Sequence, residues 1–166
     1  MGTMTTPRDL FLHELGDILY VEQKLAGEVI PKLISEVKAD ELRKGLEKHL
    51  DQTRGHVTNV EQVFDVFGEA PKAEECIGFE GLKKEHEKLM EESSPELVDL
   101  VDAGAVARTE HYEIAAYESL IPMARALGEP EAVGLLEENL KEEKEALREV
   151  ESTAKSLAKE KAAAVS

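Results

Sequence analysis

Four long stretches of this chain repeat apolar residues at alternating spacings of three and four, the mark of a helix with one buried face. The first reads Leu15, Ile18, Glu22, Leu25, Val29, and the second Leu42, Leu46, His49, Thr53, His56, Val60, Phe64, Phe67. The third reads Leu100, Ala103, Ala107, Glu110, Ile114, Tyr117, Ile121, Ala124, with Glu113 one turn from Glu110 on the same face. The fourth reads Leu136, Leu140, Glu143, Leu147, Val150, Ala154, Leu157. Helices with a single apolar face must bury those faces against one another, so the pattern restricts the chain to helix-on-helix packing.

Caps and breakers bound the four helices. Thr6-Pro7 with Asp9 reads as an N-cap, a proline at the first helical position and a capping-box partner. This first helix continues to about Val37, and Pro31 predicts a kink or a loosened turn within it. Asp40 is the expected cap of the second helix, which runs to Gly68 and is stopped by Ala70-Pro71. Residues 69–94 break the pattern with Pro71, Gly78, Gly81 and Ser93-Ser94-Pro95, leaving a short surface helix around Phe79–Glu92 inside a long connection. Ser94-Pro95 then opens the third helix, Gly128-Glu129-Pro130 links it to the fourth, and the fourth runs to about Lys159.

Short joints predict antiparallel neighbours, and the single long connection in the middle predicts an all-α, ferritin-like four-helix bundle with a short extra helix between helices two and three. One domain is expected over residues 5–160, with 1–4 an appended, disordered start and 161–166 a frayed tail. Acids outnumber bases by 36 to 20, for a formal charge of −16, so a nucleic-acid partner is excluded and cations are attracted. No apolar run approaches the ~20 residues that span a bilayer, and no signal segment is visible. The lone cysteine, Cys76, rules out an intramolecular disulfide, and a reducing cytoplasmic setting is the expectation. Cys76 beside exposed-looking Ile77 and Phe79 is read as a spectator rather than a redox thiol.

Each seam is apolar except near its middle. Counted from the caps, Glu22, His56, Glu110 and Glu143 lie roughly 13 to 16 residues into their helices, or ~20–24 Å along rods of ~45 Å. All four therefore reach the same midplane whichever way their helices run. Buried carboxylates left unpaired cost many kcal/mol, and no Lys or Arg occupies these seams apart from Arg108 flanking one. A pair of divalent cations supplies the counter-charge, and oxygen donors with imidazole suit iron, manganese or zinc. His49 stands one turn before Thr53 and is read as orienting a ligand; His13, His86 and His111 are placed at the surface or around the site.

Three segments carry a family resemblance: Glu110-His111-Tyr112-Glu113-Ile114-Ala115-Ala116-Tyr117, His49 through Val57, and Leu140-Lys141-Glu142-Glu143-Lys144. With Leu10 to Leu15 and Tyr20 to Leu25, they resemble the YciE/YciF family of bacterial stress-associated ferritin-like proteins over roughly residues 5–158. The resemblance implies a four-helix bundle, a dimetal centre with iron the first choice, and a link to stress responses. It implies as metal ligands Glu22, a residue near Gln52 together with His56, the pair Glu110 and Glu113, and Glu143. The Glu-x-x-Glu on the third helix is similar to that of rubrerythrin-like peroxidases.

Two departures stand out. Thr53 precedes His56 by three and Ala146 follows Glu143 by three, so neither helix carries Glu-x-x-His, and Glu142 rivals Glu143 as ligand. The site then holds two ions unequally, or one. Redox chemistry on peroxide or dioxygen is the leading expectation, with Tyr20, Tyr112 or Tyr117 beside the ligands; the alternative is a non-catalytic metal-binding or structural stress protein. No catalytic residue is assigned, and a homodimer is the expected assembly.

Overall fold

The structure, a computed structural model, describes residues 3–164; Met1, Gly2, Val165 and Ser166, within the expected disordered start and frayed tail, lie outside the described residues. It is all-helical, with no strand among the described residues. The helices are α1 (Pro7–Lys24), α2 (Ile30–Glu36), α3 (Asp40–Val66), α4 (Ile77–Glu92), α5 (Val98–Ala126) and α6 (Pro130–Ala163). A π turn over Leu25–Val29 joins α1 to α2, so the expected first helix is one unbroken helical path with a widened turn.

The capping box forms as read: Thr6 Oγ1 accepts from Asp9 N at 3.1 Å and Asp9 Oδ2 accepts from Thr6 N at 3.0 Å. Such a cap contributes about 1 kcal/mol. Pro31 accounts for the π turn. It offers no N–H and its ring crowds the carbonyl four residues back, and the widened turn, in which Ile30 N–H donates to Leu25 O, absorbs both effects.

Three boundaries differ from expectation. Asp40 is the first residue of α3 rather than its cap, and its carboxylate pairs instead with Arg43 at 3.1 Å. The helix expected at Ser94-Pro95 begins at Val98, because Leu97 N–H bonds to Ser94 O at 2.9 Å and closes a separate turn first. The last helix persists to Ala163, past Lys159, as its alanines and lysines favour. Both C-terminal glycines behave as expected: Gly68 (φ 70°) and Gly128 (φ 84°) let Glu69 N–H reach Phe64 O and Glu129 N–H reach Ala124 O, satisfying carbonyls at the ends of α3 and α5.

The four long helical paths close on one another: α1 packs on α3 and α5, α3 on α6, and α5 along α6, while α4 lies against α5. The shared interior holds Phe11, Leu15, Ile18, Val60, Leu120 and Leu136, each such side chain contributing about 1.5–3 kcal/mol on burial. The connection after α3 is tied down. Glu74 N–H donates to Gly16 O at 3.0 Å, and a Cβ on Gly16 would stand 2.8 Å from Lys72 O. Gly78 likewise gives room to the Tyr112 ring. Ile77 is exposed as expected, but Phe79 and Cys76 are buried, Cys76 Sγ lying 2.9 Å from Tyr112 Oη.

Candidate metal centre

Midway along the long helices, four carboxylates and two imidazoles converge out of water. Glu22 comes from α1 just before the π turn, His49 and His56 from α3, Glu110 and Glu113 from α5 and Glu143 from α6. His49 is 5% exposed and Glu110 2%, and the rest are at most 1% exposed. Each occupies a seam position that would otherwise carry Leu or Val, which is why helical packing delivers all six to one place.

Two groups emerge, in each of which the potential ligand atoms lie within 4.8 Å of one another: Glu22, His56 and Glu143, and His49, Glu110, Glu113 and Glu143. Glu143 belongs to both. Its Oε1 lies 2.8 Å from His56 Nδ1 and its Oε2 3.7 Å from His49 Nε2. His49 Nε2 is also 3.1 Å from Glu110 Oε1, and His56 Nδ1 is 3.5 Å from Glu22 Oε1. A second oxygen of Glu22 and of Glu110, and both oxygens of Glu113 and Glu143, are buried with no hydrogen-bond partner, as is His56 Nδ1. Lone pairs so placed, close but not aligned as hydrogen bonds, fit cations between them. With no cation counted, each leaves a desolvation cost of about 1–3 kcal/mol or more.

The surroundings orient this set. Glu142 Oε2 lies 2.8 Å from His56 Nε2, so a proton held there would leave Nδ1, which faces Glu22 and Glu143, to bind a cation once the cation displaces the second ring proton. Tyr117 O–H donates to Glu22 Oε1 in a short hydrogen bond. Asn139 Nδ2 donates to Tyr117 Oη at 3.0 Å and to His56 O at 3.3 Å, and Asn59 Nδ2 donates to Asn139 Oδ1 at 2.8 Å. The Glu22–His56 side is thereby closed by protein. The His49–Glu110 side opens into a groove of about 680 Å³ between α3 and α6, walled by Lys44, Lys48, Gln52, Glu145 and Arg148.

Protonation follows the same geometry. Burial raises Glu110 and Glu143 to about 7, and holds Glu22 high and Glu113 well above the usual carboxylate range. Burial opposes charge on His56, but the adjoining Glu22 and Glu143 carboxylates outweigh it and pull the imidazole up to about 11. Without cations the cluster keeps protons as its counter-charge.

Of the residues singled out in the sequence, Glu22, His56, Glu110, Glu113 and Glu143 stand together. Gln52 does not join them: it is half-buried, lines the outer groove and makes no side-chain hydrogen bond, while Thr53 points inward and donates to His49 O. His49, read as orienting a ligand, is itself at ligand distance from the carboxylates. Its position seven before His56, two turns along one seam, was the available signal. Glu142 is the orienting neighbour and Glu143 the buried group. Tyr117 alone of the three tyrosines bonds to a cluster carboxylate; Tyr20 donates to Glu80 and Tyr112 pairs with Cys76. His13 and His111 are surface residues, and half-buried His86 lies 2.7 Å from fully buried Asp102. Asn59, Asn139 and Asp102 escaped the sequence reading, since a single amide or acid on a long helix reads as solvated surface.

An all-helical chain with this buried histidine–glutamate cluster belongs to the family described as "Domain of unknown function (DUF892)", whose pattern matches residues 6–163. Among its relatives is Protein YciF of Escherichia coli (strain K12), 33% identical over 143 residues, covering 85% of this chain and 86% of that one. The crystal structure of the E. coli stress protein YciF superposes with a TM-score of 0.87 at 30% identity, over 94% of this chain and 99% of that chain. YcfI from Rhodopseudomonas palustris does so with a TM-score of 0.85 at 35% identity, over 89% and 94%. A Xanthomonas campestris pv. campestris protein shares the fold at 20% identity and a TM-score of 0.74, over 92% and 94%. No helix among the described residues is long and apolar enough to cross a membrane.

Proposed function

We propose that the protein is a ferritin-like four-helix bundle whose midplane holds two divalent ions, iron first and manganese next, for redox chemistry on peroxide or dioxygen in the stress response; zinc, which is redox-inert, would serve only the non-catalytic reading. The observation that carries this reading is the shared carboxylate: Glu143 belongs to both ligand groups, each of which has its own histidine. Glu22 and His56 would hold one ion, and His49, Glu110 and Glu113 the other. When bound, such a pair of ions supplies electrons at a site where carboxylates can shift between binding modes. The protein's own groups do the rest. Glu142 fixes the His56 tautomer, and Tyr117 and Asn139 hold Glu22 and exclude water on the closed side.

A second reading is a closed, purely structural metal site, in keeping with the description of the R. palustris relative as a candidate structural protein. The open groove at His49 and Glu110 favours the reactive reading, because a structural site has every position filled by protein. A cytoplasmic homodimer is the setting we assign. The deciding experiment mixes anaerobically iron-loaded protein with dioxygen or hydrogen peroxide and follows ferric absorbance. Oxidation faster than that of free ferrous ion supports the enzyme; bound ferrous iron inert to both supports the structural role.

A further inference from the structure

The candidate centre has a second opening besides the groove, and the two share Leu46, His49, Val106 and Glu110 as a common wall. The second is a cleft of about 40 Å³ beneath α4, lined mostly by apolar side chains, with Lys83, His86 and Thr109 as well as His49 and Glu110 among its walls. Leu25 and Val29, the first and last residues of the π turn, form one side of it, Phe79 and Leu82 of α4 cover it, and Ala105 faces it from α5. The widened turn thus shapes an apolar space against two of the proposed ligand residues. Its size suits a diatomic molecule or a xenon atom, and apolar walls of this kind take up xenon.

We infer that this cleft is a binding subsite for dioxygen. The inference rests on the redox reading above and narrows its oxidant. Hydrogen peroxide would exchange its hydrogen bonds to water for the fewer that Lys83, His86 and Thr109 offer in a mostly apolar cleft, and the polar groove with Lys44, Lys48 and Arg148 suits it better. Dioxygen has little hydration to lose and gains dispersion contacts with Leu25, Leu33 and Phe79. Reduction of dioxygen to hydrogen peroxide takes two electrons and two protons, as does reduction of hydrogen peroxide to two water molecules. Two ferrous ions becoming ferric supply the electrons in either case.

The test has two arms. In the first, metal-free protein labelled at its methyl groups is placed under xenon pressure. Saturable shifts are expected at Leu25, Leu33 and Leu46, lost in Ala105→Leu, which fills the cleft from α5; Leu82→Phe fills it from α4 if the first variant folds poorly. No shift at those methyls, or shifts unchanged in the filled variants, would overturn the cleft. In the second, ferrous-loaded variants are oxidised. The dioxygen rate is expected to fall about tenfold or more, equivalent to 1.4 kcal/mol, and the peroxide rate by less than about twofold. Equal slowing with both oxidants overturns the subsite. Native protein oxidised by neither overturns the dioxygen assignment together with the redox reading, and a positive xenon arm then traces that failure to the redox reading.

Discussion

His56 and Glu142 are joined at 2.8 Å through the imidazole Nε2, so Nδ1 is the ring nitrogen that faces the buried carboxylates and would give up its proton to a bound ion. That relationship separates the two adjacent acids of α6 by role. Glu142 is part-exposed and orients the histidine; Glu143 is fully buried and faces both histidines. Replacing Glu142 by Ala is expected to weaken metal affinity about 10–100-fold while leaving the stoichiometry at saturation unchanged. Calorimetric titration with ferrous or manganous ion checks this, and loss of an ion from the Glu142 variant at saturation would show that it is a ligand instead.

His49 and Gln52 give a second contrast. The first stands 3.1 Å from Glu110, whereas the second lines the outer groove. His49→Ala should lower metal content by about one ion per chain, and Gln52→Ala should leave it as it is. Elemental analysis of both proteins reads the difference; the reverse pattern would restore Gln52 as ligand.

Metal-free protein should lose stability as pH rises. Glu110 and Glu143 release their protons near pH 7 in the fold but at an ordinary 4.5 when unfolded, so between those values the folded chain holds more protons. Stability therefore falls from about pH 4.5 to 7. His56 acts in the same direction: its charge stabilises fully below its ordinary 6.5, and that contribution is lost as pH climbs through about 11. Metal-loaded protein should show the opposite slope between pH 5 and 7, since ions displace these protons. Thermal melts across that range, with and without metal, distinguish the two; parallel curves would contradict the account.

The connection between α3 and α4 is held through a glycine. Gly16→Ala would drive its Cβ against Lys72 O at 2.8 Å and is expected to cost about 1–3 kcal/mol, lowering Tm without changing metal stoichiometry. An unchanged Tm would mean that the connection shifts freely.

Much of this was legible in the sequence, for identifiable reasons. The three-and-four spacing locates the long helices, and an acid or imidazole in an apolar seam is costly enough that Glu22, His56, Glu110 and Glu143 stand out in the sequence itself. The widened turn was foreseeable from Pro31, though not its form. Gln52 is implied as a ligand by the family resemblance and His49 reads as orienting one; the recurrence of His49 seven residues before His56 on one seam is what brings it beside the carboxylates. Asn139 and Asp102 went unnoticed because nothing local tells a buried polar residue on a long helix from a solvated one. The cost of burying Asn139 is offset by Asn59 and Tyr117, partners about 80 and 22 residues away that only the fold brings near.

The central proposal is that the buried cluster would hold two ions, with Glu143 common to both groups of ligands. The most direct test is the iron and manganese content of protein purified without chelator and reconstituted anaerobically, measured by elemental mass spectrometry beside Glu143→Ala. The account predicts about two ions per chain in the native protein and loss of both, or of all tight binding, in the variant. A native protein that binds no metal after reconstitution, or a variant that retains the full complement, would contradict it.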